Sequence, residues 1–270
     1  MMRSVIVEGL SAWSPGRGLS PAATSGEQLL VADSWLVRDG RIRGLDRHQE
    51  RFLHACGEVG GLPLRRLLEF WRDMTDALPR TGDWFPRVEL AAESMELRLL
   101  LRPAPQLGSG VRVWAAGQRD PRIVPRRKGP DLEALAGVRT RASEEGAEEA
   151  VLVTPSGVVL EAATASVLWW EHDTLRLPSP QLPLLPGVTA ALVEERARRT
   201  GIRVAHREAT VADLDGREVW LVNALHGIRP VTAWMGGLLR TGPAERAPEW
   251  QTWLESTGKP LPEKQHITFS

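Results

Sequence analysis

Cysteine is nearly absent from this chain. Cys56 is the one cysteine in 270 residues, which excludes an intrachain disulfide framework and a zinc site built on clustered cysteines. Net charge is absent too: 34 Lys plus Arg balance 34 Asp plus Glu. A general nucleic-acid or membrane surface is therefore not expected. No stretch approaches the roughly 20 apolar residues that span a bilayer. The opening MMRSVIVEGLSAW has neither the basic leader nor the sustained apolar run of a signal peptide, so the expectation is a soluble cytoplasmic protein. Neither G-x-G-x-x-G nor G-x-x-x-x-G-K-[ST] occurs, which leaves no common phosphate loop. The six histidines form no metal motif.

Lysine is also scarce. Lys128, Lys259 and Lys264 are the only three, and arginine carries nearly every other positive charge. A GC-rich coding sequence accounts for such a habit, but arginine cannot replace the chemistry of a neutral amine. That singles out Lys128, mid-chain in RRKGPDL at 126–132.

What is present is an ordinary globular balance, 42% hydrophobic and 25% charged, long enough for one large or two moderate domains. SVIVEG reads as a first short strand. EQLLVADSWLVRDGRIRGL reads as two strands around Asp39-Gly40. DRHQERFLHACGEVG reads as a helix capped by Asp46, with Cys56 in its core face. PLRRLLEFWRDMTDAL reads as a second helix with Leu64, Leu67, Leu68 and Trp71 on one face. A hairpin turning near Ala92–Ser94 and the strand VRVWAAG follow. The Pro/Arg-rich QRDPRIVPRRKGPD suggests a domain connection near residue 120, dividing the chain into 1–120 and 121–270. Beyond it come a helix over 132–145, several strands across 149–177, a helix opened by Pro186-Gly187 and ended at Gly201, and two strands around VNALHGI. No clean βαβ repeat is visible. The tail STGKPLPEKQHITFS has little core signal and reads as surface, its last residues being able to pack.

A lysine in a protected site lowers its pKa and forms a Schiff base with an aldehyde, of which pyridoxal phosphate is the obvious example. That cofactor needs a phosphate cradle, an acid opposite its pyridine nitrogen and a route for protons. Glu161, directly after the apolar GVVL, suits the acid; a solvent-facing glutamate at a strand end fits the same spacing. LPGVTAAL suits the cradle. Gly187 permits close backbone approach, and Val188 and Thr189 open a helix whose N–H groups favour an anion. Helix starts after Pro-Gly are also common without a ligand. Asn223 and the amides after it suit phosphate, while His226 reads as a base or as a lone surface histidine. Arg51 either reaches an anion or covers a helix surface.

The ordered set HQERF, Lys128, VVLEAATASVLWW, LPGVTAAL and VNALHGIRPV resembles the fold-type IV pyridoxal-phosphate enzymes, the class IV aminotransferases, over roughly residues 30–235. NAL at 223–225 and the short chain look most like the aminodeoxychorismate lyases among them. The resemblance implies a class IV aminotransferase-like α/β fold, with a smaller α+β N-terminal domain and a larger mixed α/β cofactor-binding C-terminal domain, and a homodimer. It implies that Lys128 bonds pyridoxal 5'-phosphate, that Glu161 meets the pyridine nitrogen, that Arg51, Val188 and Thr189 hold the phosphate, and that Asn223 and Ala224 form a second phosphate-side loop. Ser166 stands where the family often has Asn. The usual tyrosine at the ring hydroxyl has no counterpart, since the chain contains no tyrosine. LLVADSWLV replaces the usual GDGxFET-like segment, in which the lyases carry a hydroxyl for proton transfer; Ser34 is the nearest match, with Asp33 beside it.

The implied reaction is elimination of pyruvate from an aminodeoxychorismate-like amino substrate to give 4-aminobenzoate for folate biosynthesis. Lys128 takes the substrate proton, Glu161 keeps the ring nitrogen protonated and Ser34 protonates the departing enol. An amino-acid aminotransferase uses the same lysine, so Lys128 does not choose between the two. A non-catalytic member with a vestigial pocket is a third reading. Arg87, Arg98, Arg102 and Arg126 all remain open as ligands for a substrate carboxylate.

Overall fold

A computed structural model describes residues 8–24 and 26–264. The chain forms two compact units, one running through Gln106 and resumed from Gly258, the other Leu107–Thr257. The division thus falls at Gln106/Leu107 rather than near residue 120. The strand Val111–Arg119 has partners on both edges in the second unit's sheet, so the chain cannot be parted after it.

The first unit contains β1 (Gly9–Ser14), β2 (Gly18–Pro21), β3 (Leu29–Ser34), β4 (Val37–Arg38), β5 (Arg41–Ile42), α1 (Leu45–Val59), α2 (Leu64–Ala77), β6 (Asp83–Trp84), β7 (Arg87–Ala91) and β8 (Leu97–Leu101). Residues 4–7 of the expected strand SVIVEG lie outside the described residues. An antiparallel five-stranded sheet runs β2-β1-β8-β7-β3. The Asp39-Gly40 turn joins β4 to β5, with φ values of 47° and 69°. Both are left-handed, as a two-residue hairpin of this hand requires.

Helix α1 is capped by Gly44, and Asp46 sits instead in its first turn, where a carboxylate meets the positive end of the dipole. Helix α2 buries Leu67, Phe70, Trp71 and Met74, a stripe spaced for one helical face. Leu64 and Leu68 belong to the outer side and are 61% and 43% exposed. The expected face was thus rotated, because Phe70 and Met74 define it with Leu67. Phe70 and Trp71 pack on Phe52 of α1 at 6.1 and 5.9 Å between ring centroids. The tail is not merely surface: Lys259–Pro260 pairs with β5, the Leu261 amide donates to the Gly40 carbonyl at 2.7 Å, and Leu261 is buried.

The second unit contains β9 (Val111–Arg119), α3 (Leu132–Glu144), β10 (Glu149–Val153), β11 (Val159–Ala162), β12 (Ser166–Glu171), β13 (Thr174–Leu177), α4 (Val188–Arg199), β14 (Arg203–His206), β15 (Val219–Asn223), β16 (Gly227–Met235) and α5 (Ala247–Ser256). Its eight-stranded sheet runs β11-β10-β9-β16-β15-β12-β13-β14. Strand pairs β9/β10 and β13/β14 are parallel, bridged by α3 and α4. These are two βαβ crossovers that the sequence pattern hides, since α3 buries little more than Val138 and Ala142.

The sheet curls until its edges meet, with the Val159 amide donating to the Ala209 carbonyl at 2.7 Å. The two-residue period of the strands then sorts the core. Val167, Trp169, Val219 and Leu221 fill the inside of the curl. Leu168, Trp170, Trp220 and Val222 face α4 and α5 outside it. Helix α5, unforeseen in the sequence, buries Trp250 and Leu254 one turn apart. No helix among the described residues is long and apolar enough to cross a membrane.

Candidate active site

The connection between β9 and α3 is irregular but firmly tied. Asp131 accepts the amides of Ile123 and Val124, each at 2.9 Å. Arg122 holds Asp120 through Nε and Nη2 at 2.8 Å. Arg126 Nη2 donates to the carbonyls of Pro180, Gln181 and Leu182 at 3.3, 3.2 and 2.7 Å. Half-buried Lys128 lies two residues further on, before Gly129 and α3. The same Arg122 reaches out of this loop and donates from Nη1 to Glu161 Oε1 on β11. The lysine loop and the buried carboxylate are thereby parts of one network, a link absent from any local sequence motif.

Glu161 is 5% exposed, so its place is not a solvent-facing strand end. Its Oε1 also accepts the Leu185 amide at 3.1 Å. Burial pushes its carboxyl above the ordinary value, against the opposing pull of Arg122 and that amide. Both bonds use Oε1; Oε2 takes none among the described residues.

Two residues after Leu185 the chain reaches Gly187, the N-cap of α4, with no side-chain cap on the helix. A Cβ on Gly187 would lie 2.5 Å from Ser166 Oγ, so any larger residue here would displace the serine hydroxyl. Val188 and Thr189 are buried in the first turn. Ser166 pairs with Val222, which places Asn223 and Ala224 just beyond. Asn223 Oδ1 accepts the amides of Leu225 at 3.1 Å and His226 at 2.8 Å, and its Nδ2 donates to the Thr164 carbonyl at 3.3 Å. The asparagine side chain therefore shapes its own turn.

In the first unit, Arg51 is no mere helix cover. It grips Asp33 through Nε to Oδ2 at 2.8 Å and Nη2 to Oδ1 at 2.7 Å, a paired geometry that suits arginine. His48 Nδ1 lies 2.8 Å from the same Oδ1, and the Ser34 amide donates to it at 2.7 Å. Burial would raise the Asp33 carboxyl, but the charges of Arg51 and His48 hold it well below the usual carboxylate range. The Ser34 hydroxyl makes no hydrogen bond among the described residues, and Ser34 stands directly opposite Arg87 across β3 and β7. Such opposed residues share a face of the sheet. Arg87 donates from Nε to Glu89 at 2.6 Å.

Sequence reasoning did not find Arg122, Asp120 or Asp131, and left Arg87 undistinguished. A chain rich in arginine hides the ones that matter, and only strand pairing and the loop's fold pick them out. Cys56 is a buried core residue, and among the described residues no cluster of His, Cys, Asp or Glu suits a metal.

These residues fit a phosphorylated pyridine aldehyde. The uncapped start of α4, where Gly187 lies against the Ser166 hydroxyl, presents N–H groups suited to phosphate. The buried Glu161 offers an unbonded oxygen for a ring N–H. Lys128, in a loop anchored on both sides, would supply the amine.

Comparison with known proteins agrees. Residues 30–234 match the model of the amino-transferase class IV family. A bifunctional aminodeoxychorismate lyase/D-amino acid transaminase of Mycobacterium tuberculosis is 28% identical over 226 residues, 72% of this chain and 78% of that protein. A hypothetical aminotransferase from Mycobacterium tuberculosis in its PLP-bound form superposes with a TM-score of 0.71 at 21% identity, covering 92% of this chain and 98% of that one. A putative 4-amino-4-deoxychorismate lyase from Legionella pneumophila gives 0.70 at 16% identity, covering 88% and 96%. The mixed α/β fold is theirs. With three quarters of its length matched and a cradle that fits the cofactor, the chain belongs to the class IV aminotransferases and is a pyridoxal-phosphate enzyme.

Proposed function

We propose that this enzyme is a lyase that eliminates pyruvate from an aminodeoxychorismate-like substrate, leaving 4-aminobenzoate. The observation that carries the reading is the Ser34–Arg87 pair on β3 and β7, an unbonded hydroxyl facing the same way as a guanidinium. Arg87 gives a substrate carboxylate a partner, and Ser34 Oγ gives a proton donor near it.

Pyridoxal phosphate, when bound, supplies the electron sink. The first-turn amides of Gly187, Val188 and Thr189, the Thr189 and Ser166 hydroxyls, and the turn at Asn223 and Ala224 would hold its phosphate. Glu161, fixed by Arg122, would accept from the ring nitrogen. Lys128 Nζ takes the proton from the aminated substrate carbon. The carbon–oxygen bond to the enolpyruvyl group breaks, the ring becomes aromatic, and Ser34 Oγ donates a proton to the enol carbon to complete pyruvate. The same reading carries a homodimeric, cytoplasmic enzyme supplying folate biosynthesis.

The test is pyruvate release from aminodeoxychorismate with no amino acceptor present. Pyruvate and 4-aminobenzoate are expected in equal amounts, both abolished in Lys128→Ala. A requirement for a keto acid, consumed mole for mole, would instead establish an aminotransferase. The bifunctional name of the mycobacterial relative favours that as the second reading.

A further inference from the structure

Glu149 is a buried carboxylate that the reaction does not touch. It lies on β10 and is 1% exposed. Its Oε1 accepts from the Thr164 hydroxyl, and its Oε2 accepts the Thr164 amide at 3.2 Å. The nearest guanidinium groups, Arg139 and Arg229, approach no closer than 3.8 Å. Glu149 therefore takes its hydrogen bonds from a threonine, with both guanidinium groups beyond hydrogen-bond distance.

Thr164 occupies the three-residue link between β11, which carries Glu161, and β12, which opens with Ser166. Its carbonyl accepts Asn223 Nδ2 at 3.3 Å. Asn223 in turn shapes the 223–226 turn through its Oδ1. One buried carboxylate thus fixes, in series, a threonine, an asparagine and a turn of backbone amides.

We propose that Glu149, acting through Thr164, is a positioning residue that sets the Asn223–His226 turn for the cofactor's phosphate. The inference rests on the reading of that turn as phosphate-side. A residue needed only for packing would tolerate an isosteric loss of the hydroxyl. A positioning residue would not, and the loss would appear specifically in phosphate recognition.

The experiment titrates cofactor-free protein with pyridoxal phosphate and with pyridoxal, followed by absorbance at the cofactor band and by tryptophan fluorescence. The wild-type protein prefers the phosphorylated compound. Thr164→Val is expected to weaken pyridoxal phosphate about tenfold, the effect of losing one hydrogen bond to a charged group, with pyridoxal unchanged. Thr164→Ser, which keeps the hydroxyl, restores the preference. Glu149→Gln, which places an N–H2 group toward one of the Thr164 donors, is expected to shift the preference in the same direction. Thermal unfolding of each variant accompanies the titrations. An unchanged preference in Thr164→Val, whether or not its Tm falls, overturns the proposal alone. A wild-type chain that does not distinguish the two compounds overturns the phosphate-side reading and this proposal with it.

Discussion

Each unit buries a carboxylate near arginine, and the two carboxylates behave in opposite ways. Asp33 in the first unit is touched by Arg51 at 2.7 and 2.8 Å, by His48 at 2.8 Å and by the Ser34 amide. Its carboxyl is held well below the ordinary range although burial works against it. Glu149 in the second unit has two arginines, each 3.8 Å away. Burial dominates there and pushes its carboxyl up, despite the Thr164 bonds and both guanidinium groups. One of those groups, Arg229, has a buried Nε without a hydrogen bond and is itself drawn down by burial. About one ångström of separation, and the hydrogen bond it forbids, decides the sign. Asp33 is the anchor of an ion pair; Glu149 is an acceptor for a hydroxyl.

The comparison breaks most visibly at Asp33. Asp33→Asn leaves the Arg51 guanidinium without the carboxylate that grips it at two points. Removing one partner of a buried pair costs about 3–5 kcal/mol, so the urea midpoint at pH 7 is expected to fall sharply with an unchanged slope. Glu149→Gln is expected to cost less, because no hydrogen-bonded ion pair is broken and one acceptor for Thr164 remains. Equal losses from the two substitutions would refute the distinction.

Acid titration sharpens it. Asp33 has a depressed folded value, so its stabilisation is complete above the ordinary carboxylate value of about 3.9 and is lost as pH falls below it. The stability gap between wild type and Asp33→Asn therefore narrows in acid. Glu149 has a raised folded value, so the folded state is penalised as pH rises through about 4.3 and beyond. The stability of Glu149→Gln relative to wild type therefore improves from acid to neutral pH. Chemical unfolding from about pH 2 to 5 reads the Asp33 gap and from about pH 4 to 7.5 the Glu149 gap, and slopes of the same sign would contradict the assignment.

Much of this was legible beforehand for a physical reason. Strands with a two-residue period and helix starts at Pro-Gly are local properties, so the hairpin at Asp39-Gly40, α1 and α4 could be read directly. The scarcity of lysine made Lys128 conspicuous. What was hidden depends on partners remote in sequence. Arg122 reaches Glu161 across 39 positions, and Ser34 meets Arg87 only through strand pairing. The orientation of α2 turned on Phe70 and Met74, which make the inner stripe, while Leu64 and Leu68 are apolar residues on the outer side. The domain boundary was hidden because β9 looks like the end of what precedes it, and only its neighbours β10 and β16 claim it for the second unit.

The smallest expected effect tests distance and exposure together. Arg139 carries the same charge as Arg51 and lies beside a carboxylate that is equally buried, but its side chain is 51% exposed and its Nε stands 3.8 Å from Glu149 Oε1. Water screens such a charge, and holding a long side chain in place costs entropy that the weak attraction barely offsets. Arg139→Gln is therefore expected to change stability by no more than about 0.5 kcal/mol, and to raise the Glu149 carboxyl further by removing one of the charges that oppose burial. Urea unfolding at pH 7 reads the first effect, and the pH dependence of that unfolding reads the second. If Arg139→Gln cost as much as Asp33→Asn, charge count would matter more than contact, and the contrast between the two carboxylates would need another cause.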